Sequence, residues 1–160
     1  MEEVAQKAGV SRSTLYRRFP TKEDLVLDVP ARWMTVFDRA IAALPGNVSI
    51  SDAIGKPSLA VAAHIDQQQE IVRTAYEILG QSLSLQQSGL VTNAWLGRIT
   101  AIFERFSTAD AETCLVLAGS YFGAIDAMML HWATTGGTSS VTEKTTRLLT
   151  RLEPILPPSA

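Results

Sequence analysis

Between residues 11 and 22 stand Ser11, Arg12, Ser13, Thr14, Tyr16, Arg17, Arg18 and Lys22, a segment holding four of the chain's 14 basic residues and none of its 16 acidic ones. These residue types suit one chemistry. A guanidinium can grip a guanine edge with two hydrogen bonds, a threonine methyl can meet a thymine methyl, and a tyrosine hydroxyl or a lysine can hold a phosphate. Leu15 and Phe19 are four residues apart. If the segment is a helix, they share one buried face, and Ser13 and Arg17 project from the other, flanked by Arg12, Thr14 and Arg18. Tyr16 falls at the edge of the buried face. The net charge of −2 argues against a chain that is basic throughout, so any nucleic-acid affinity must be concentrated here.

Other chemistry is poorly supplied. The sequence has no nucleophile elbow, no paired metal ligands and no glycine-rich phosphate loop, which reads as a non-enzyme with no cofactor. His64 and His131 lack the spacing of a zinc site, and the single Cys114 cannot form an intramolecular disulfide. Cys114 reads as a small buried hydrophobe. Neither a signal sequence nor an uninterrupted apolar run of membrane-crossing length is evident, so the expected compartment is the cytoplasm with no membrane partner.

The elements that must position the basic segment are helical. Apolar residues recur at three- and four-residue spacing, and 46% apolar content over 160 residues can bury one substantial core with a small module attached. The class is all-α. A short helix from Glu2 to Ala8 ends at Gly9, Val10 plugs the corner, and Ser11 caps a second short helix closed by Phe19-Pro20. Val4, Ala5 and Ala8 form a narrow apolar face that lets the second helix cross closely: a helix-turn-helix. Thr21 with Asp24 opens a long helix to about Leu44, with a kink or break expected at Pro30. Pro45-Gly46-Asn47 is the clearest linker, dividing a head of residues 1–44 from a body of 48–160. Body helices are expected near 57–67, 69–84, 92–106, 108–134 and 140–156. Ser107 with Asp110 and Ser140 with Glu143 mark two starts, and Gly136-Gly137 ends the helix between them. The tail from Pro157-Pro158 is expected to fray.

Ala8-Gly9-Val10-Ser11 followed by Tyr16, Phe19, Lys22 and Leu25 resembles the DNA-binding signature of the tetracycline-repressor (TetR) regulators. The resemblance covers residues 1–44 closely and the remainder only in helix count and length. It implies that Arg12, Ser13, Thr14, Arg17 and Arg18 face the DNA groove while Ser11, Tyr16 and Lys22 hold the backbone. It also implies a ligand-responsive regulator, in most cases a repressor, that binds a palindromic operator as a dimer and is released by a small apolar or amphipathic effector. Members of that family begin with a further helix packed across the motif. Nothing precedes Met1 here, so the expectation is that the head lacks its first helix and that Met1 is internal or a late start. A truncated, DNA-inactive sensor or dimerisation module is the competing reading.

The resemblance further implies a homodimer formed by the last two helices, about 108–134 and 140–156. Compatible with this, Cys114 to Trp132 is apolar around most of its circumference, Gly119 and Gly123 permit close approach, and Leu148, Leu149, Leu152, Ile155 and Leu156 lie on the final helix. Candidate ligand residues are Tyr76, Trp95, Ile99, Phe103, Phe122 and Met129, with His64 and Asp126 as polar anchors. For the aromatics and Met129, plain core packing is the competing role. Asp126, on an apolar helix, must find a partner or water.

Overall fold

The computed structural model describes residues 1–81 and 90–160, and of residues 22, 79–81 and 90 the backbone alone. Among the described residues the regular structure is helical, with one isolated bridge between Ser107 and Ser159. The head begins with α1 (Glu2–Lys7), whose end is turned by Gly9 at φ +66°. α2 (Arg12–Arg18) is capped by Ser11, which accepts from the Thr14 amide, and ends at Phe19. α3 (Lys22–Ala42) starts with a full capping box, Thr21 accepting from the Asp24 amide and Asp24 from the Thr21 amide.

The expected interruption at Pro30 is absent as a break: α3 is assigned as one helix through it. The lost donor is outweighed by burial, since Trp33 and Phe37 fix the helix to the body beyond that point.

The body consists of α4 (Ile50–Asp66), α5 (Gln69–Gln81), α6 (Leu90–Phe106), α7 (Ala111–Thr134) and α8 (Val141–Leu152), followed by a 3-10 turn at Glu153–Ile155. Of the helix expected over 69–84, residues 82–84 lie outside the described residues. α4 is the central rod, packing against α3, α5, α6 and α8. It begins seven residues before the expected start. Ser49 caps it by accepting from the Asp52 amide, and the helix runs on through a buried Pro57. One core cluster is built on Ile54, Phe103, Cys114, Ala118 and Tyr121, and a second on Trp33, Val72, Met129 and Trp132.

Two further expectations change. The cap of α7 is Asp110, accepting from the Thr113 amide at 2.7 Å, whereas Ser107 donates back to the Phe103 carbonyl at 2.7 Å and closes α6. The tail does not fray: Thr108 and Ala160 amides bond the Pro158 and Phe106 carbonyls at 3.1 Å, and Ser159 Oγ accepts from the Ile50 amide at 3.0 Å. Leu149, Leu152 and Leu156 pack on the chain's own core, Leu148 is half-buried, Ile155 just beyond α8 is 51% exposed, and Thr146, Arg147, Thr150 and Arg151 face outward. The apolar face left over belongs to α7, where Leu115, Val116, Gly119, Gly123, Ala127 and Leu130 are exposed.

α7 is also long and apolar enough, by length and composition, to cross a bilayer, which the sequence reading did not expect. Its inward residues Cys114, Ala118, Tyr121, Met129 and Trp132 are packed into the bundle, while many of its other apolar residues are half-buried or exposed.

One residue that sequence reasoning passed over locks the bundle. Asp66, at the end of α4, accepts from the Val141 amide at 2.7 Å, the Thr142 amide at 3.0 Å and the Ser140 hydroxyl at 2.9 Å, and so caps α8 from another helix. Desolvation pulls its pKa upward, but these donors and Gln69 outweigh it and hold the carboxyl at about 2.

Candidate nucleic-acid interface and interior cavity

The head is built on very little burial. Ala5 and Leu15 are the buried residues of α1 and α2, with Phe19 half-buried behind them. Leu15 anchors one side of α2, which leaves Arg12, Ser13, Thr14, Tyr16, Arg17 and Arg18 exposed together. Val10, expected to plug the corner, is 40% exposed, and Val4 36%, because six-residue α1 offers Ala5 as its inward contact. Tyr16 stands 44% exposed, farther from the buried face than its register suggested.

The exposed residues are not equivalent. Arg12 pairs with Glu2 of α1, and the Arg18 guanidinium lies over the Phe19 ring at 5.4 Å. Ser11 Oγ, besides capping, shares hydrogen bonds with Ser13 Oγ at 3.0 Å and Thr14 Oγ1 at 2.8 Å, so these three hydroxyls form one cluster at the start of α2. Arg17 makes no ion pair among the described residues. Lys22 opens α3, and its side chain lies outside the described residues. The arrangement is a short helix held from one side whose other side presents guanidinium and hydroxyl donors, as a groove-reading element must.

A second feature lies in the body. A cavity of about 80 Å³, open on one side, is lined by α3, α4, α5, α6, α7 and the start of α8. Tyr76, Trp95, Ile99, Phe122, Asp126 and Met129 line it together. Phe103 does not; it is buried in the first core cluster. His64 lies instead along a groove between the head and body, with Phe19, Leu25, Asp28 and Ile71, and its Nε2 is buried without a partner among the described residues.

Sequence reasoning missed Trp33, Phe37 and Tyr121 as lining residues. The signal for the first two was their four-residue spacing on α3, read there only as part of a connecting helix. Trp33 stacks on Tyr76 with ring centres 6.2 Å apart, and Phe37 meets Trp95 edge-on at 5.2 Å. Two rings of the cavity wall therefore belong to the helix that begins in the head. Arg98 of α6 fixes the same helix through two hydrogen bonds to Asp38, at 2.8 and 3.0 Å.

The polar groups of the cavity divide in two. Tyr121 donates to Ser58 Oγ at 2.8 Å, and Ser58 donates to the Ile54 carbonyl at 2.8 Å, so that chain is satisfied; burial pushes the Tyr121 hydroxyl up to about 12. Tyr76 and Asp126 make no hydrogen bond to any described residue. Burial, and then the nearby Asp126 charge, raise the Tyr76 pKa, so its hydroxyl stays neutral. Asp126 is exposed on one side at the cavity rim, yet desolvation still raises its carboxyl pKa.

Residues 1–29 match the family model described as bacterial regulatory proteins, tetR family. Among curated proteins nothing matches the chain. The match covers the helix-turn-helix and the start of α3, so the similarity to DNA-binding regulators of that family is a property of the head.

Proposed function

We propose that the chain, carrying this TetR-type head, is a ligand-responsive transcriptional regulator that binds a palindromic operator as a homodimer, acts in most settings as a repressor, and lets go of DNA when a small effector enters the body cavity. The observation that carries the reading is the one-sided anchoring of α2: Leu15 is buried while every basic and hydroxyl residue of the helix is exposed. Arg17, Arg18, Ser13 and Thr14 are assigned to base edges. Tyr16 and Lys22 are assigned to phosphates. Arg12 reaches DNA only by leaving Glu2, which makes it the weaker candidate.

The outward apolar face of α7 is proposed as the centre of the dimer seam. Leu115, Val116 and Leu130 are exposed large apolar residues there, and a Cβ at Gly119 or Gly123 would meet nothing within 4 Å in the single chain, so a second helix can approach closely. Two heads so paired would read half-sites roughly 34 Å apart. The effector residues are Tyr76, Trp95, Ile99, Phe122, Asp126 and Met129, joined by Trp33, Phe37 and Tyr121. Control passes through α3, because an occupant that displaces Trp33 and Phe37 also tilts the helix that carries the head.

The test is selection of bound duplexes from a random library. The expected product is an inverted repeat with half-site centres about one turn apart, and affinity that falls steeply with salt. Recovery of no sequence above background, from a chain shown to be folded by circular dichroism, would overturn the reading in favour of a DNA-inactive helical module.

A further inference from the structure

We propose that the cavity takes a small organic cation, held between aromatic rings with Asp126 as its counter-ion; this rests on reading the cavity as the effector site.

The charge of the lining decides the sign of the ligand. Asp126 is the one acidic residue along the cavity, and no lysine, arginine or histidine lines it among the described residues. The undescribed stretch cannot supply one, because residues 79–90 contain no ionisable side chain in the sequence. Of the arginines on the surrounding helices, Arg98 is held by Asp38, and Arg73 lies 3.7 Å from Glu77 without lining the cavity. An anionic ligand would therefore meet a carboxylate with nothing to offset it. A neutral ligand would leave that carboxylate partly stripped of water and with no ion-pair partner along the cavity among the described residues. A cation corrects both.

The walls point the same way. Trp33, Tyr76, Trp95 and Phe122 supply ring faces, and ring faces attract positive charge. The Tyr76 hydroxyl, without a hydrogen bond among the described residues, can accept from an ammonium N–H beside Asp126. Burial raises the Asp126 pKa, and a cation bound beside it would act in the opposite direction. Size limits the occupant. A cavity of about 80 Å³ is smaller than the roughly 150 Å³ that closes around a benzene ring, so a one-ring ammonium fits only with part of it at the open side, and a large drug-like cation does not fit.

The test uses benzylammonium, its neutral isostere ethylbenzene, and the anion benzoate, titrated against the full chain by tryptophan fluorescence. Benzylammonium should bind about tenfold or more tightly than ethylbenzene, and benzoate should bind weakest. Asp126→Asn should erase the preference for the cation while leaving ethylbenzene binding in place, and Asp126→Glu should retain it. Ethylbenzene binding to the Asn variant also reports that the cavity is still formed. Equal affinities for the cation and its isostere, a preference that survives Asp126→Asn, or no binding of any probe would overturn the proposal. So would an Asp126→Asn effect confined to the sedimentation of the free protein, which would place the residue in the dimer seam. DNA release is scored separately: if benzylammonium binds through Asp126 but leaves operator binding unchanged, the cation site stands and the regulatory reading fails. If ethylbenzene binds and releases DNA as well as the cation does, the regulatory reading stands and the cation site fails.

Discussion

Arg17 and Lys22 should fail differently when replaced. Arg17→Ala removes a base-edge donor, so mobility shifts against a panel of operator variants should show relaxed preference at one position, worth about 1–3 kcal/mol of discrimination. Lys22→Ala should weaken all sequences alike and reduce the slope of log affinity against log salt by about 1. Identical profiles for the two would refute the division of roles. A second residue-scale expectation concerns Asp66. Its carboxyl is held at about 2 in the folded chain against an ordinary 3.8, so its contribution is present above about pH 4 and is lost as pH falls through the folded value. Asp66→Ala should cost about 1–2 kcal/mol in urea denaturation at pH 7, and the gap from wild type should narrow when the titration is repeated near pH 2. The cap was invisible in the sequence because donor and acceptor are some 74 residues apart. The exposed face of α2 was legible because Leu15 and Phe19 fix its phase within five residues.

At the scale of elements, the helix-turn-helix and the starts at Ser11, Thr21 and Ser140 could be read from local capping chemistry, which acts within one turn. The prolines misled in the other direction. Pro30 and Pro57 lie inside α3 and α4, whose buried aromatic and aliphatic faces hold them helical, and only Ser49 with Asp52 hinted that α4 begins earlier. Two turns depend on glycine and can be compared. Gly9→Ala would place a side chain at φ +66° in open space, costing about 1 kcal/mol and loosening α2 more than the body. Gly137→Ala, at φ +61°, would also bring its Cβ to 3.1 Å from Arg73 Cδ, so its loss of thermal stability should exceed that of Gly9→Ala. Equal melting shifts for the two would argue that Arg73 yields at no cost.

For the whole molecule, the apolar outer face of α7 must be covered if the chain pairs as proposed. Val116 is 62% exposed in the single chain. Val116→Arg would bury an unpaired charge in the seam and should weaken association by about 3 kcal/mol, roughly a hundredfold, in sedimentation equilibrium. Thr150→Arg on the polar outer side of α8 should leave association unchanged. The sequence suggested that both final helices supply the seam. The leucines of α8 were ambiguous because periodicity marks an apolar face without saying which neighbour it meets, and here that neighbour is α4. The cavity was partly legible for the same reason: aromatic positions were visible, but the convergence of α3 on them was a property of the fold.

The account depends above all on the free side of α2 entering a duplex. Backbone amide shifts of the labelled chain, followed during titration with a selected operator, test this directly. Perturbations should cluster over residues 11–22 and be largest near Arg17, with smaller changes spreading along α3. Shifts that leave α2 untouched, or that gather instead on α7 or α8, would contradict it.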